Sequence, residues 1–198
     1  MCILCESSDL DQSTIFLDCS NCDKITTLPE YLPNLKFLVI YGTNISTIPS
    51  YKSLEGLYCM GCPINSLPDL PKLTKLNASG SSLKSLPNSL YRLETILVDD
   101  TNVSDIPDTL ISSITISANN TKVSNVSEKL INVESLSIAN TQVSEINVMM
   151  SLQYLNCSGT SVSSILVDKM PMLRKIYAKE CSISDPFSII ERGIDLFN

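Results

Sequence analysis

The residues best placed to do chemistry in this 198-residue sequence are its eight cysteines. Cys2 and Cys5 form one C-x-x-C pair and Cys19 and Cys22 a second. Four thiolates brought together from two such pairs are the ligand set of a structural zinc ion, so this spacing points to a metal site at the N-terminal end. Cys59 and Cys62 repeat the spacing further along, without a partner pair, and Cys157 and Cys181 stand apart. Nucleophilic catalysis has less support. The chain has no histidine, so no imidazole is available to activate a Ser or Cys nucleophile. No glycine-rich phosphate loop is present. Asp99 and Asp100 are adjacent carboxylates, but neighbours on a strand point in different directions, and both are expected to face solvent. An enzyme is therefore not expected.

The elements that position these residues emerge from internal repetition. Leu35, Leu38, Ile40, Thr43, Ile45, Ile48 and Pro49 recur as Leu54, Leu57, Cys59, Cys62, Ile64, Leu67 and Pro68, and again as Leu73, Leu76, Ala78, Ser81, Leu83, Leu86 and Pro87. The common form is L-x-x-L-x-L-x-x-(T/C/S)-x-I-x-x-L-P. Units start at Thr14, Leu35, Leu54, Leu73, Leu93, Ser113, Val133, Leu152 and Leu173, a period of 19 to 21 residues.

This pattern resembles the leucine-rich repeat. Its Leu-Pro phrasing, as from Leu67 to Pro71, is similar to the short repeats of bacterial effectors, and the wider phrasing is similar to repeat arrays of giant DNA viruses. The resemblance implies an α/β repeat solenoid, a horseshoe with a parallel β-sheet on its concave face. Residues 1–13 are read as an N-terminal cap, 14–183 as nine repeats and 184–198 as a C-terminal cap. The first cysteine pair also resembles the opening ligands of RING fingers, although that family uses eight ligands and normally includes histidine.

Within each unit, positions three to six are expected to form a short strand whose side chains alternate between core and concave face. Neighbouring strands about 4.8 Å apart would give nine units a sheet roughly 40 Å long, and no unit buries its apolar side without its neighbours. The ninth position, Asn in the template, is Cys22, Thr43, Cys62, Ser81, Thr101, Thr121, Thr141, Thr160 or Cys181. Cys19, Cys59 and Cys157 fall at the sixth position. Six of the eight cysteines thus have a structural place as small core or turn residues, which leaves Cys2 and Cys5 outside the pattern. Gly42, Gly61, Gly80 and Gly159 recur at one turn position.

Pro29, Pro49, Pro68, Pro87 and Pro107 close the early units. Proline fixes φ and cannot donate to a ladder, so the convex side is expected to be irregular or polyproline-like. Where the proline is lost, short helices are expected near 148–150 and 167–170. Asp185 and Pro186 read as the cap and first residue of a short C-terminal helix, with Phe187, Ile189 and Ile190 covering the last layer. Ile3, Leu4 and Leu10 would form the lid at the other end.

The third, fifth and seventh positions line the concave face. Early units present Phe16, Phe37, Val39, Tyr41, Tyr58 and Met60, with Leu97 further on. The middle presents Ser79, Thr95, Thr115, Ser117, Ser135 and Ser137, and the late units Tyr154, Lys175, Tyr177 and Lys179. Tyr, Phe and Met are enriched at protein interfaces, although strand propensity alone also favours aromatic and β-branched residues. The leading expectation is a monomeric module that binds a protein partner through this face, a host protein if the origin is viral or effector-like. The alternatives are a zinc-dependent ubiquitin-ligase adaptor holding zinc through Cys2, Cys5, Cys19 and Cys22, and a structural scaffold. No cofactor other than that zinc is expected. The net charge of −7 disfavours nucleic acid and anionic membrane. With no apolar run long enough to span a bilayer and no signal-like start, the chain is expected to be cytoplasmic, in the host if viral or effector.

Overall fold

A computed structural model of the chain describes Leu4 and residues 10–198. Ten three-residue strands run in chain order through one parallel sheet: β1 (Phe16–Asp18), β2 (Phe37–Val39), β3 (Gly56–Tyr58), β4 (Lys75–Asn77), β5 (Thr95–Leu97), β6 (Thr115–Ser117), β7 (Ser135–Ser137), β8 (Tyr154–Asn156), β9 (Lys175–Tyr177) and β10 (Asp195–Phe197). Every strand pairs only with its sequence neighbours, in identical register, so equivalent repeat positions stand side by side along the sheet.

The strands are short, but the hydrogen-bond ladder is wider. The amide of Cys19 donates to the Val39 carbonyl and that of Asn21 to the Tyr41 carbonyl, each at 2.8 Å, and the same pattern recurs down the array. At the other end of each strand one carbonyl accepts two amides, as Ile15 does from Lys36 and Phe37. The ladder therefore fixes positions three to eight of each coil, including the seventh position outside the strand proper.

Inside, each coil contributes the same inward set. In the second unit these are Leu35, Leu38, Ile40, Ile45, Ile48 and Tyr51, all buried. Stacking repeats this set into one continuous aliphatic core. Two substitutions within it show how polar atoms are accommodated. Tyr51 occupies a slot that is Leu70 or Leu90 in later coils, and its hydroxyl donates to the Pro29 carbonyl of the preceding coil. Burial raises its pKa, so the phenol stays a donor. Ser113 stands where other units have Leu, and its hydroxyl donates to the Leu93 carbonyl at 3.0 Å. Both cases follow the rule that a buried polar group is retained when it is paired.

The turn after each strand needs a left-handed residue. Glycine supplies it at Gly42, Gly61, Gly80 and Gly159, and Asn21, Asp100, Asn120, Asn140 and Glu180 supply it elsewhere, with φ between 54° and 69°. Asn and Asp tolerate this region better than other residues with a Cβ. The ninth position then seals the turn. Hydroxyls of Thr43, Thr101, Thr121, Thr141 and Thr160 each donate to the carbonyl three residues earlier at 2.6–2.8 Å. Several also accept an amide two residues on, as Thr43 does from Ile45. Threonine thus bonds the turn backbone from this position in the absence of Asn.

The convex side is largely irregular, as the prolines imply. A 3-10 turn spans Val167–Lys169, near the expected 167–170 helix. No helix forms at 148–150, where Met149 is instead a buried core residue of a turn. The C-terminal helix α1 (Pro186–Glu191) starts as expected, with the Asp185 carboxylate accepting from the Ser188 amide. Its packing differs from expectation: Ile189 alone is buried, while Phe187 is 75% and Ile190 57% exposed. The reason lies in β10. The chain turns at Gly193 and returns as a tenth strand against β9, so the last layer is covered partly by backbone pairing and by Ile194. At the opposite end Leu4 and Leu10 pack against the core. Ile3 lies outside the described residues. Among the described residues no helix is long and apolar enough to cross a membrane.

Candidate protein-binding face

The uniform register places the early outward side chains in three adjacent rows. Phe16, Phe37 and Gly56 stand in the first row, and Asp18, Val39 and Tyr58 in the second. Tyr41 and Met60 form the third, at the seventh position, where their carbonyls are held by the Asn21 and Gly42 amides. Phe37, Val39, Tyr41, Tyr58 and Met60 are half-buried, and Phe16 at the edge is 58% exposed. Six of the expected residues therefore form one contiguous apolar and aromatic patch across three strands.

Gly56 makes the patch possible. A Cβ there would stand 2.7 Å from Phe37 Cδ1 and 3.3 Å from Tyr58 Cε2. The Phe37 ring occupies the space over the Gly56 backbone, with Tyr58 beside it, and both rings reach the surface from a shared hollow. Sequence reading missed this glycine because it falls at a position the repeat consensus leaves open and brings no side chain to the outward row. Its signal was its position, directly opposite a phenylalanine in the neighbouring unit. Leu97 does not join the patch: it pairs with Asn77 and Ser117, two strands beyond Tyr58.

The middle of the face is a polar ladder. The Asp99 carboxylate accepts from the Ser117 hydroxyl at 2.8 Å and the Asn119 amide at 2.7 Å. Asn119 Oδ1 accepts in turn from the Ser137 hydroxyl and the Ala139 amide, and the Asn156 side chain donates to Ser137. A parallel ladder runs along the turns, where Asn120 donates to Asp100 and Asn140 to Asn120, each at 2.8 Å. Asp99 is consequently half-buried and bonded to its neighbours, not freely solvated as expected; Asp100 is exposed. These groups bond to one another along the array.

At the C-terminal end the expected Tyr154 and Tyr177 are in contact, with centroids 5.6 Å apart. Phe197 extends them, stacked on Tyr177 at 4.6 Å with 11° between ring planes. Lys175 Nζ lies 5.7 Å from the Phe197 centroid, within range of a cation–π attraction. Lys179 is exposed, 4.0 Å from Glu180. Phe197 was missed because β10 was missed. Gly193 replaces the first leucine of what would be a tenth unit, although Leu196 keeps the fourth position in register.

Cys19 is buried and Cys22 half-buried, at the core and turn positions that the repeat assigns to them. Cys2 and Cys5 lie outside the described residues. Among the described residues no group of three or more His, Cys, Asp or Glu side chains is arranged to hold a metal ion. Burial, with a contribution from Cys62, pushes the Cys59 thiol up to about 12, which makes it a poor nucleophile.

No protein-family model matches the sequence, and no curated protein is similar to it. Solved structures do match. An internalin, inlF, from Listeria monocytogenes superposes with a TM-score of 0.63 at 19% identity, over 85% of this chain and 62% of that one. A leucine-rich repeat protein of Leptospira interrogans gives 0.60 at 14%, over 84% and 61%. The functional domain of InlJ from Listeria monocytogenes, described as including a cysteine ladder, gives 0.58 at 15%, over 94% and 53%. The fold is a leucine-rich repeat solenoid. The chain spans between about half and three fifths of the length of these repeat proteins. Its position-nine spine interleaves Cys with Thr, as from Thr43 to Cys62, where the two side chains meet at 3.5 Å.

Proposed function

We propose that this leucine-rich repeat chain is a binding module that grips a protein partner on its concave face. The observation that carries this reading is the contiguous patch of Phe16, Phe37, Val39, Tyr41, Tyr58 and Met60, held on a rigid ladder. Interface energy concentrates in aromatic and other large side chains clustered on a firm frame. A sheet whose outward positions served only solubility would carry small polar residues throughout, as Thr115, Ser117, Ser135 and Ser137 are in its middle units. The aromatic row Tyr154, Tyr177 and Phe197, with Lys175 and Lys179 beside it, is a second contact zone for the same partner.

The test is capture from eukaryotic cytosol by the wild type and by a Tyr41→Ala/Tyr58→Ala/Met60→Ala variant, compared by mass spectrometry. Truncating hot-spot residues costs roughly 2 kcal/mol each, so the triple variant should lose its partner by more than a hundredfold. Its melting temperature should stay close to wild type, because none of the three is a core residue. A partner retained at equal strength by a folded triple variant would sink the assignment of the early patch.

A further inference from the structure

The position-nine cysteines follow a rule that has a chemical consequence in one place. Cys62 Sγ donates to the Ile40 carbonyl at 3.0 Å, and Cys181 Sγ donates to the Cys157 carbonyl at 3.0 Å. In both cases a thiol at the ninth position reaches back to the sixth-position residue of the preceding coil. For Cys62 that residue is an isoleucine. For Cys181 it is another cysteine. Among the described coils, the eighth and ninth alone bring a position-nine thiol onto a position-six thiol of the neighbouring coil.

The surroundings fit a reacting pair. Cys157 is fully buried and Cys181 half-buried, so one residue is sheltered while the other lies partly at the surface. The Thr160 hydroxyl sits between them, donating to the Cys157 carbonyl at 2.6 Å and standing 3.6 Å from Cys181 Sγ. Burial and the neighbouring Cys181 thiol, which hydrogen-bonds to it, push Cys157 up to about 12. Cys181, the more exposed of the two, is the one a reagent meets first. Cys181 lies three residues beyond Ala178, the residue beside Cys157 in the next coil, and its Sγ reaches back across the coil interface to within 3.0 Å of the Cys157 backbone.

We propose that Cys157 and Cys181 are an oxidative modification site, a thiol pair that a peroxide converts to a disulfide joining the eighth coil to the ninth. The Cys181 sulfur attacks the peroxide, forming a sulfenic acid and releasing an alcohol or water. Cys157, a poor nucleophile toward outside reagents, then attacks the Cys181 sulfur held beside it and gives up its proton as the bond forms. The S–S bond forms, the S–O bond breaks, and the leaving hydroxide takes the Cys157 proton as water. Two thiols are oxidised by two electrons and the peroxide O–O bond is reduced. The bond ties down the coil that carries Lys175, Tyr177 and Lys179, and behind it β10 with Phe197.

The test exposes the reduced full chain to hydrogen peroxide, quenches it, alkylates remaining thiols after unfolding, and maps the peptides without reductant. The expected result is a peptide containing Cys157 cross-linked to one containing Cys181, the corresponding loss of two hydrogens, and alkylated Cys59 and Cys62. The oxidised protein should melt several degrees above the reduced one, and dithiothreitol should return it. In Cys157→Ser, Cys181 should gain oxygen instead. Wild-type Cys181 carrying oxygen while Cys157 remains alkylated would overturn the proposal. So would a bond from Cys181 to any other thiol, or equal oxidation of Cys59 and Cys62. The wild-type peptide map stands even if the serine variant fails to fold.

Discussion

Three glycines at turn or strand positions face different penalties if a Cβ is added, and the differences follow from what surrounds each. At Gly61 a Cβ would meet nothing within 4 Å, so only the φ of +69° opposes it. That conformation costs a residue with a Cβ roughly 1–2 kcal/mol. At Gly159 the φ is +68°, and the new atom would also fall 2.1 Å from Asn140 Oδ1, because the asparagine ladder along the turns runs into this space. Gly159→Ala should therefore cost clearly more than Gly61→Ala in urea unfolding. Adding Asn140→Gly should recover part of the difference, since the obstacle is then gone and glycine keeps the left-handed backbone at 140. At Gly56 no positive φ is involved and the obstacle is the Phe37 ring at 2.7 Å. Gly56→Ala should cost about 1–3 kcal/mol by overpacking and weaken partner capture by displacing Phe37. Equal stabilities for the three alanine variants would contradict these surroundings. The turn glycines were readable from their recurrence at one position. The ladder that makes Gly159 special was not, because Asp100, Asn120 and Asn140 look like ordinary loop residues until the 20-residue spacing is combined with a left-handed turn.

Elements divide according to how much of their signal was periodic. The first nine strands were legible because an aliphatic residue stands at position four and an aliphatic or small one at position six of every coil, and because the same register repeats. The tenth was not, since Gly193 stands at position one and α1 occupies the stretch where the preceding coil should finish. Helix α1 was legible from its cap. Asp185 accepts from the Ser188 amide at 3.1 Å, and the Ser188 hydroxyl donates back to the Asp185 carbonyl. A helix of six residues is too short to persist through its own hydrogen bonds, so its start and Ile189 hold it. Asp185→Ala should remove about 1 kcal/mol. The loss should appear as faster amide exchange confined to 186–191 and the adjoining β10, leaving β1 to β8 unchanged. Exchange that rises equally along the whole sheet would mean that the cap supports the array and not merely its end.

At the scale of the whole molecule, stability is a property of stacking. Each coil touches only its two neighbours, so the array behaves as a row of units joined by interface terms. Position in the row should then decide what an identical chemical change does. Leu136 is fully buried, in the β7 strand between Ile116 and Leu155, with coils on both sides. Leu196 is half-buried at the same repeat position in β10, with Ile176 on one side. Leu136→Ala removes methyl groups from two interfaces and leaves a cavity that the ladder on either side resists closing; about 2–5 kcal/mol is expected. It should lower the unfolding midpoint of the entire chain, because the coils before and after it lose their link. Leu196→Ala should cost much less and be confined to β10 and the Tyr177–Phe197 stack. Measuring both variants by urea unfolding and by residue-resolved hydrogen exchange separates the two cases. If Leu136→Ala produced a second transition instead of one displaced transition, the two halves would be stable independently. The early aromatic patch and the late one would then sit on separately folding segments, and a partner bridging both would itself add coupling between them.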